Sequence, residues 1–365
     1  MIDILSQIKK KAEETKSEQQ KMAVKNCIGL FVTGSQLYGL SNENSDFDFE
    51  GIFLEDPEYV IGTKRCDEVD FSTGDDKKRN TPDDVDCKLY SLRKFFELAK
   101  QNNPNKVEFF SIPDSCVVYK KDEYWNQIKE AKDLFLSQKI KHSFSGYAHT
   151  QEHKLLTKKK RFNELSSFRE ILAEAMNRPN LYVIGDLSFL FEDVPTKKYD
   201  RDADKLVTLI NKKLKYSFDS VYYKKSEEGS DGIQVDTKYF NYGMPVKQLW
   251  DYVNKEVEKY GQRTRLIKEY GADMKFAYHI FRLHYEGMQL LQEGNLTLPF
   301  TGEKQEFMLG VKSGKYPLDH LIEKYAELKP QLEEAYKTTK LRHSPDDQAI
   351  SQLQMKLHLD FWKEA

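Results

Sequence analysis

The stretch Phe31-Val32-Thr33-Gly34-Ser35-Gln36-Leu37-Tyr38-Gly39-Leu40, followed by Ser45-Asp46-Phe47-Asp48-Phe49-Glu50-Gly51-Ile52-Phe53, combines residue types that handle phosphate and divalent metal. Ten residues separate Gly34-Ser35 from Asp46-Phe47-Asp48. A Gly-Ser turn offers backbone N–H groups and a hydroxyl to a phosphate. Side chains alternate along a strand, so Asp46, Asp48 and Glu50 share one face while Phe47 and Phe49 share the other. Two carboxylates about 7 Å apart on one strand face can bridge a pair of divalent cations, and carboxylates are the hard oxygen ligands that Mg²⁺ requires. The spacing points to a site for Mg²⁺ and a nucleoside triphosphate. The bland alternative is an Asp-rich strand end capping a turn.

A second constellation lies far downstream. Lys275, His279 and Arg282 stand at i, i+4 and i+7 and share a helical face. Aligned cations on an otherwise apolar helix need an anion opposite. Triphosphate or nucleic-acid phosphate serves, as does a structural ion pair with Asp or Glu. Tyr147, Gln151 and Lys154 repeat the spacing, and Lys158-Lys159-Lys160-Arg161 follows, either as a solvated face or as a guide for an RNA backbone. From Lys197 to Lys225, lysines interleave with Tyr199, Tyr216, Tyr222 and Tyr223, as phosphate contact plus base stacking would require. His142, His153 and His320 show no ligand spacing.

These residues need elements to hold them. Residues 3–24 read as a helix, and Ile28–Val32 and Phe47–Phe53 as strands flanking the Gly-Ser turn. Polar residues 56–83 read as a loop or hairpin over the site. Val85–Tyr90 is a third strand, where Asp84 and Asp86 both alternate onto the face opposite Val85, Cys87 and Leu89, so periodicity does not choose between them. Ser91 is an N-cap for a helix with the stripe Leu92, Phe95, Phe96 and Ala99, stopped at Asn102–Asn105. Val117–Tyr119 is a short edge strand. Helical periodicity dominates from residue 124, over Phe144–Ala175, Val246–Tyr260, Ala272–Gln292, Asp319–Tyr336 and Pro345–Trp362. The expected division is a catalytic domain at 1–123 and a helical domain at 124–365, with an insertion near 176–264.

The chain has 365 residues, 32% charged and 13% aromatic, with a net charge of −2. That is a globular composition, and any nucleic-acid surface must be a local patch. Four scattered cysteines (Cys27, Cys66, Cys87, Cys116) without a CxxC pair imply a reducing cytoplasm and no zinc site. The first residues lack the apolar core of a signal peptide, and no apolar run reaches the length of a membrane span.

The Gly-Ser to Asp-x-Asp segment resembles the DNA polymerase β-type nucleotidyltransferase superfamily. Tyr38-Gly39-Leu40 and Ser45-Asp46-Phe47-Asp48 with Gly51 resemble its bacterial and phage branch associated with RNA repair. The likeness continues through Tyr90-Ser91-Leu92-Arg93-Lys94-Phe95, Asn103-Pro104-Asn105 and Glu108, then Gly146-Tyr147-Ala148 with Gln151, and Lys275, His279, Arg282 and Leu283. Asn295-Leu296 and Leu341 to Asp346 fit its tail. It covers residues 25–175 and 265–360, and 176–264 match nothing. The resemblance implies an α+β fold, a polymerase-β-like head with a small mixed sheet followed by a mostly helical C-terminal part. It favours Asp86 over Asp84 as third carboxylate, because the family places that residue four before Tyr-Ser-Leu. Asp46, Asp48 and Asp86 would hold two Mg²⁺ ions, with Mn²⁺ as a substitute, and Asp86 would serve the attacking hydroxyl. Gly34 and Ser35 would hold the β- and γ-phosphates. Tyr38 would stack on base or sugar, or pack against the sheet. Lys275, His279 and Arg282 would face phosphate. The implied activity is nucleotide transfer from an NTP to a hydroxyl acceptor, an RNA (tRNA) 3′ end before others, with no membrane partner and the oligomeric state left open. The rivals are AMP transfer to a protein or small molecule, and a catalytically silent NTP-binding or partner-neutralising protein.

Overall fold

The computed structural model describes residues 4–42, 45–72, 85–178, 181–190, 221–259 and 274–364. The chain separates into two compact units, residues 1–151 with 278–365, and residues 152–277. These limits differ from the boundary at 123/124 that the sequence suggested.

The first unit is built on a five-stranded mixed sheet. Its strands are β1 (Cys27–Val32), β2 (Phe47–Phe53), β3 (Glu68–Asp70), β4 (Val85–Ser91) and β5 (Val117–Lys120), in the order β3-β4-β2-β1-β5. Only β2 and β4 run parallel; the other neighbours are antiparallel. Period-two alternation gives β2 and β4 one apolar side. Phe49, Phe53, Val85, Cys87 and Leu89 point into a core closed by Ile4, Ile8, Ala12, Met22 and Ala23. Those five come from two helices, Ile4–Glu14 and Glu18–Lys25, where the sequence suggested one. Ser17 breaks the run and caps the second helix, accepting from the Gln20 N–H. The opposite side packs aromatics. Phe31 meets Phe109 and Trp125, and Phe95, Phe96, Phe110 and Phe135 continue the stack. The helix Leu92–Lys100 supplies two of these, capped by Ser91 as its sequence foretold.

The rest of this unit is helical, with Gly302–Lys312, Leu318–Thr338 and Asp347–Glu364. The long helices Lys139–Met176 and Met274–Glu293 each have residues in both units. The expected α+β architecture, a mixed sheet with helices and then a helical C-terminal part, is what the chain adopts.

The second unit has its own core. Phe162, Leu165, Phe168 and Leu172 pack against Val221, Ile233, Val235, Phe240, Leu249 and Val253. It contains a three-stranded antiparallel sheet, β6 (Val221–Lys225), β7 (Asp231–Val235) and β8 (Lys238–Asn241), followed by the helix Val246–Glu258. The helical reading of this region did not anticipate that sheet. Alternation is legible only in hindsight, because Lys and Tyr on its exposed side resemble a solvated helix. Among the described residues no helix is long and apolar enough to cross a membrane.

Candidate active site on the carboxylate face of the sheet

Where β1 ends, Thr33 turns the chain and its N–H binds the Asp48 carbonyl at 2.9 Å. Gly34 opens a single helical turn, Gly34–Leu37, with φ +62°. L-residues with a side chain avoid that region. A Cβ on Gly34 would also overlap the Asp48 carboxylate. Two independent constraints therefore demand glycine here, and both bring the turn against the acid.

Asp48 lies on β2 and Asp86 on β4, and the parallel register makes them direct partners. Neighbouring strands are about 4.8 Å apart, so the two carboxylates stand side by side on one face. Asp86 is exposed, and Asp46 and Asp48 are half-buried. Asp84 lies outside the described residues. All three acids offer oxygen donors, the chemistry that fits Mg²⁺. Yet among the described residues no three His, Cys, Asp or Glu side chains are gathered into a ready metal cluster.

One step further along the same face, the pair Glu50 and Lys88 follows Asp48 and Asp86 in register. Glu50 is ion-paired with the buried Lys106, which also lies 3.7 Å from the Tyr90 ring centroid. Glu50 is thus neutralised from within rather than solvated. That ion pair marks where the open acidic end of the face passes into packed protein.

The loop after Gly34 is held by a distant part of the chain. The Phe300 N–H binds the Tyr38 carbonyl at 3.1 Å, Gln305 donates to the Gly39 carbonyl at 2.8 Å, and Lys312 donates to the Leu40 carbonyl at 2.8 Å and to Ser45 Oγ at 3.2 Å. None of Phe300, Gln305 or Lys312 carried a sequence signal, because each acts through a backbone carbonyl or small hydroxyl roughly 260 positions away.

For Tyr38 and Arg282, the surroundings match the packing and ion-pair alternatives that the sequence left open. Tyr38 is buried, its hydroxyl donating to Glu108 Oε2 at 2.5 Å and accepting from Arg282 Nη1. The Arg282 guanidinium lies 4.5 Å from the Tyr38 ring centroid. Arg282 Nη2 donates to Asn105 Oδ1 at 3.1 Å, and Nη1 lies 3.4 Å from Glu108 and 3.7 Å from Glu286. Arg282 is 4% exposed. The groups opposite this cation are therefore the protein's own carboxyls, Glu108 and Glu286, and Tyr38 packs and hydrogen-bonds in a buried cluster. Burial lifts the Glu108 carboxyl well above the usual carboxylate range, and lifts Glu286 to about 7 against the pull of Arg282. Tyr278 belongs to the same cluster. Its hydroxyl is buried, and burial with Glu286, Glu108 and Asp48 nearby holds its pKa up. His279 is half-buried beside the Tyr278 ring at 4.8 Å. Lys275 is an exposed residue of the second unit. Of the three expected cations, Arg282 is thus buried, His279 half-buried and Lys275 exposed.

The basic run divides as well. Arg161 is bound to Asp236 at 2.8 Å and Glu256 at 3.0 Å inside the second unit, so it braces that unit rather than meeting phosphate. Lys160 is exposed, 4.0 Å from Glu164. The side chains of Lys158 and Lys159 lie outside the described residues, as do Tyr199 and Tyr216. Tyr147 is 41% exposed in the first unit and Lys154 is exposed in the second. Tyr222 is exposed on β6, whereas Tyr223 donates to Asp231.

Comparison with known proteins bears out the resemblance. Residues 4–178 match the model of the RNA repair pathway DNA polymerase beta family. An uncharacterized 38.9 kDa protein of the nrdC-mobD intergenic region of Enterobacteria phage T4 is 25% identical over 337 residues, covering 91% of this chain and 93% of the phage protein. A nucleotidyltransferase-like protein from Exiguobacterium sibiricum 255-15, of known structure, is 12% identical. That match covers 97% of this chain and 91% of the other with a TM-score of 0.23, too low to carry a structural argument.

Proposed function

We propose that this protein is a divalent-metal-dependent nucleotidyltransferase that moves a nucleotide from an NTP to a hydroxyl acceptor, with an RNA 3′ end, tRNA first, as the favoured acceptor. One observation carries the reading. Gly34 is pressed against the Asp48 carboxylate, and Asp86 is its in-register neighbour on the parallel strand. Phosphate-handling backbone and paired acids therefore share one corner of the sheet.

Asp46 and Asp48 would hold the ion shared with the triphosphate, and Asp86 the ion on the acceptor side. Bound Mg²⁺ would supply neutralisation of the charge that builds on the entering and leaving oxygens of an in-line displacement. Gly34 and Ser35 would present N–H groups and a hydroxyl to the β- and γ-phosphates. Glu50, on the same face, is ion-paired with Lys106 and is not among the acids proposed for metal. The RNA acceptor is drawn from the name of the matching family.

The test is incubation of the protein with each labelled NTP, Mg²⁺ and total RNA, with product sizing. Label should enter RNA-sized product with the wild type and not with Asp46→Asn or Asp48→Asn. Asn keeps the size and hydrogen-bonding capacity of these half-buried side chains, so both variants should remain folded, as melting curves would check. Label in protein or in a small molecule would move the acceptor. Failure of all four nucleotides to transfer to anything would sink the reading.

A further inference from the structure

The hydrogen bonds around Tyr38 have a direction. A guanidinium can only donate, so Arg282 donates to the Tyr38 hydroxyl, which in turn donates to Glu108 Oε2. All three side chains are buried. Tyr38 is also the residue that closes the Gly34–Leu37 turn. Its N–H reaches the Gly34 carbonyl at 3.4 Å, the Gly39 N–H reaches Gln36 at 3.1 Å, and the Leu40 N–H reaches Ser35 at 2.9 Å. Tyr38 is thus tied to Gly34 by its own N–H, and the two residues that follow it are tied to Gln36 and Ser35. A tyrosine needed only to fill space would be matched by phenylalanine. This hydroxyl instead sits between a cation and an acid 244 and 70 positions away.

We propose that Tyr38, Glu108 and Arg282 are positioning residues, a one-way hydrogen-bond relay that holds the Gly34–Leu37 turn in its phosphate-binding shape before a nucleotide arrives. The inference rests on the reading that this turn takes the triphosphate. Donors fixed in advance lose no ordering entropy when the ligand binds. A turn released from its anchor must be ordered at the cost of ligand affinity, while the carboxylate face, built on β2 and β4, stays as it was. The consequence is a split between binding and turnover.

Tyr38→Phe keeps the ring and removes the relay. It should raise the KM for NTP about tenfold, the worth of one charge-assisted hydrogen bond, with kcat within about twofold. Hydrogen exchange should quicken at the Gly39 and Leu40 amides and remain unchanged in the helix Leu92–Lys100. Glu108→Gln keeps an acceptor for the hydroxyl and should raise KM less than Glu108→Leu does. Unaltered exchange at Gly39 and Leu40 in Tyr38→Phe would overturn the anchoring, and faster exchange with wild-type KM would overturn its role in nucleotide binding. Wild-type protein that neither binds nor transfers any NTP would bring down the nucleotidyltransferase reading and with it the nucleotide half of the inference, whereas the exchange experiment would still decide whether the relay holds the turn.

Discussion

Gly34 shows how little room the chemistry leaves a single residue. Gly34→Ala must either leave the left-handed region or bear its strain, of order 1–3 kcal/mol, and in both cases it displaces the Asp48 carboxylate. The expected outcome is a loss of Mg²⁺-dependent NTP affinity of tenfold or more, read by titration calorimetry, with a small drop in melting temperature. Glu286 makes a prediction of a different kind. Its carboxyl titrates near 7 in the folded protein because burial disfavours its charge, against about 4.5 unfolded. Between those values the unfolded chain has released a proton that the folded chain keeps. Its stabilising contribution is therefore full below the unfolded value and is lost as pH rises through the folded one. Stability should decline from about pH 4.5 to 7 in the wild type. Glu286→Gln, which does not titrate, should flatten that decline in denaturant melts taken across the window. Glu108 is shifted in the same direction, so some slope should persist.

At the scale of elements, the helix Met274–Glu293 carries a buried cation, Arg282, whose neighbours are the protein's own carboxyls. Removing one member of a buried ion pair typically costs about 3–5 kcal/mol. Arg282→Ala would leave Glu108 and Glu286 facing each other without their cation, so a loss of that order is expected in chemical denaturation. A change under about 1 kcal/mol would instead favour the phosphate-facing alternative for Arg282. The helix Gly302–Lys312 acts on the loop between the turn and Asp46. Lys312→Ala removes two bonds to that loop, at Leu40 and Ser45. Faster proteolysis within residues 40–46 and a stability loss of about 1–3 kcal/mol are expected, and an unchanged cleavage pattern would show that Gln305 and Phe300 suffice.

On the scale of the whole molecule, the end of the chain returns to its beginning. The helix Asp347–Glu364 packs where β2 ends, with His358 Nε2 3.0 Å from Glu55 Oε2 and Trp362 donating to the Glu55 carbonyl at 2.9 Å. Tyr124 donates to Glu364 at 2.6 Å. Glu55 is fully buried, with Arg93 3.7 Å from its other oxygen. His358→Leu preserves apolar volume but removes the nearest partner of a buried acid. It should cost about 1–3 kcal/mol without altering metal or NTP binding, because Glu55 lies beyond the far end of β2 from Asp48. A matching loss of nucleotide affinity would show that this clasp reaches the site.

Local order was legible in the sequence by itself. Strand alternation placed Asp48 opposite Phe47 and Phe49, Ser91 announced its helix, and the Gly-Ser to Asp-x-Asp spacing pointed to the family that residues 4–178 match. Each of these is decided by neighbours within a few positions, where backbone period and turn chemistry act directly. Partners across the fold were decided only by tertiary structure. The helical wheel put Lys275, His279 and Arg282 on one face but left open what faced them, and buried glutamates lie beside Arg282. Arg161 likewise lies against Asp236 and Glu256, and Glu50 against Lys106, partners that no spacing announced. The physical reason is common to all three. A charge removed from water must find its opposite, and which opposite lies nearest depends on packing between segments that the chain's own periodicity does not record.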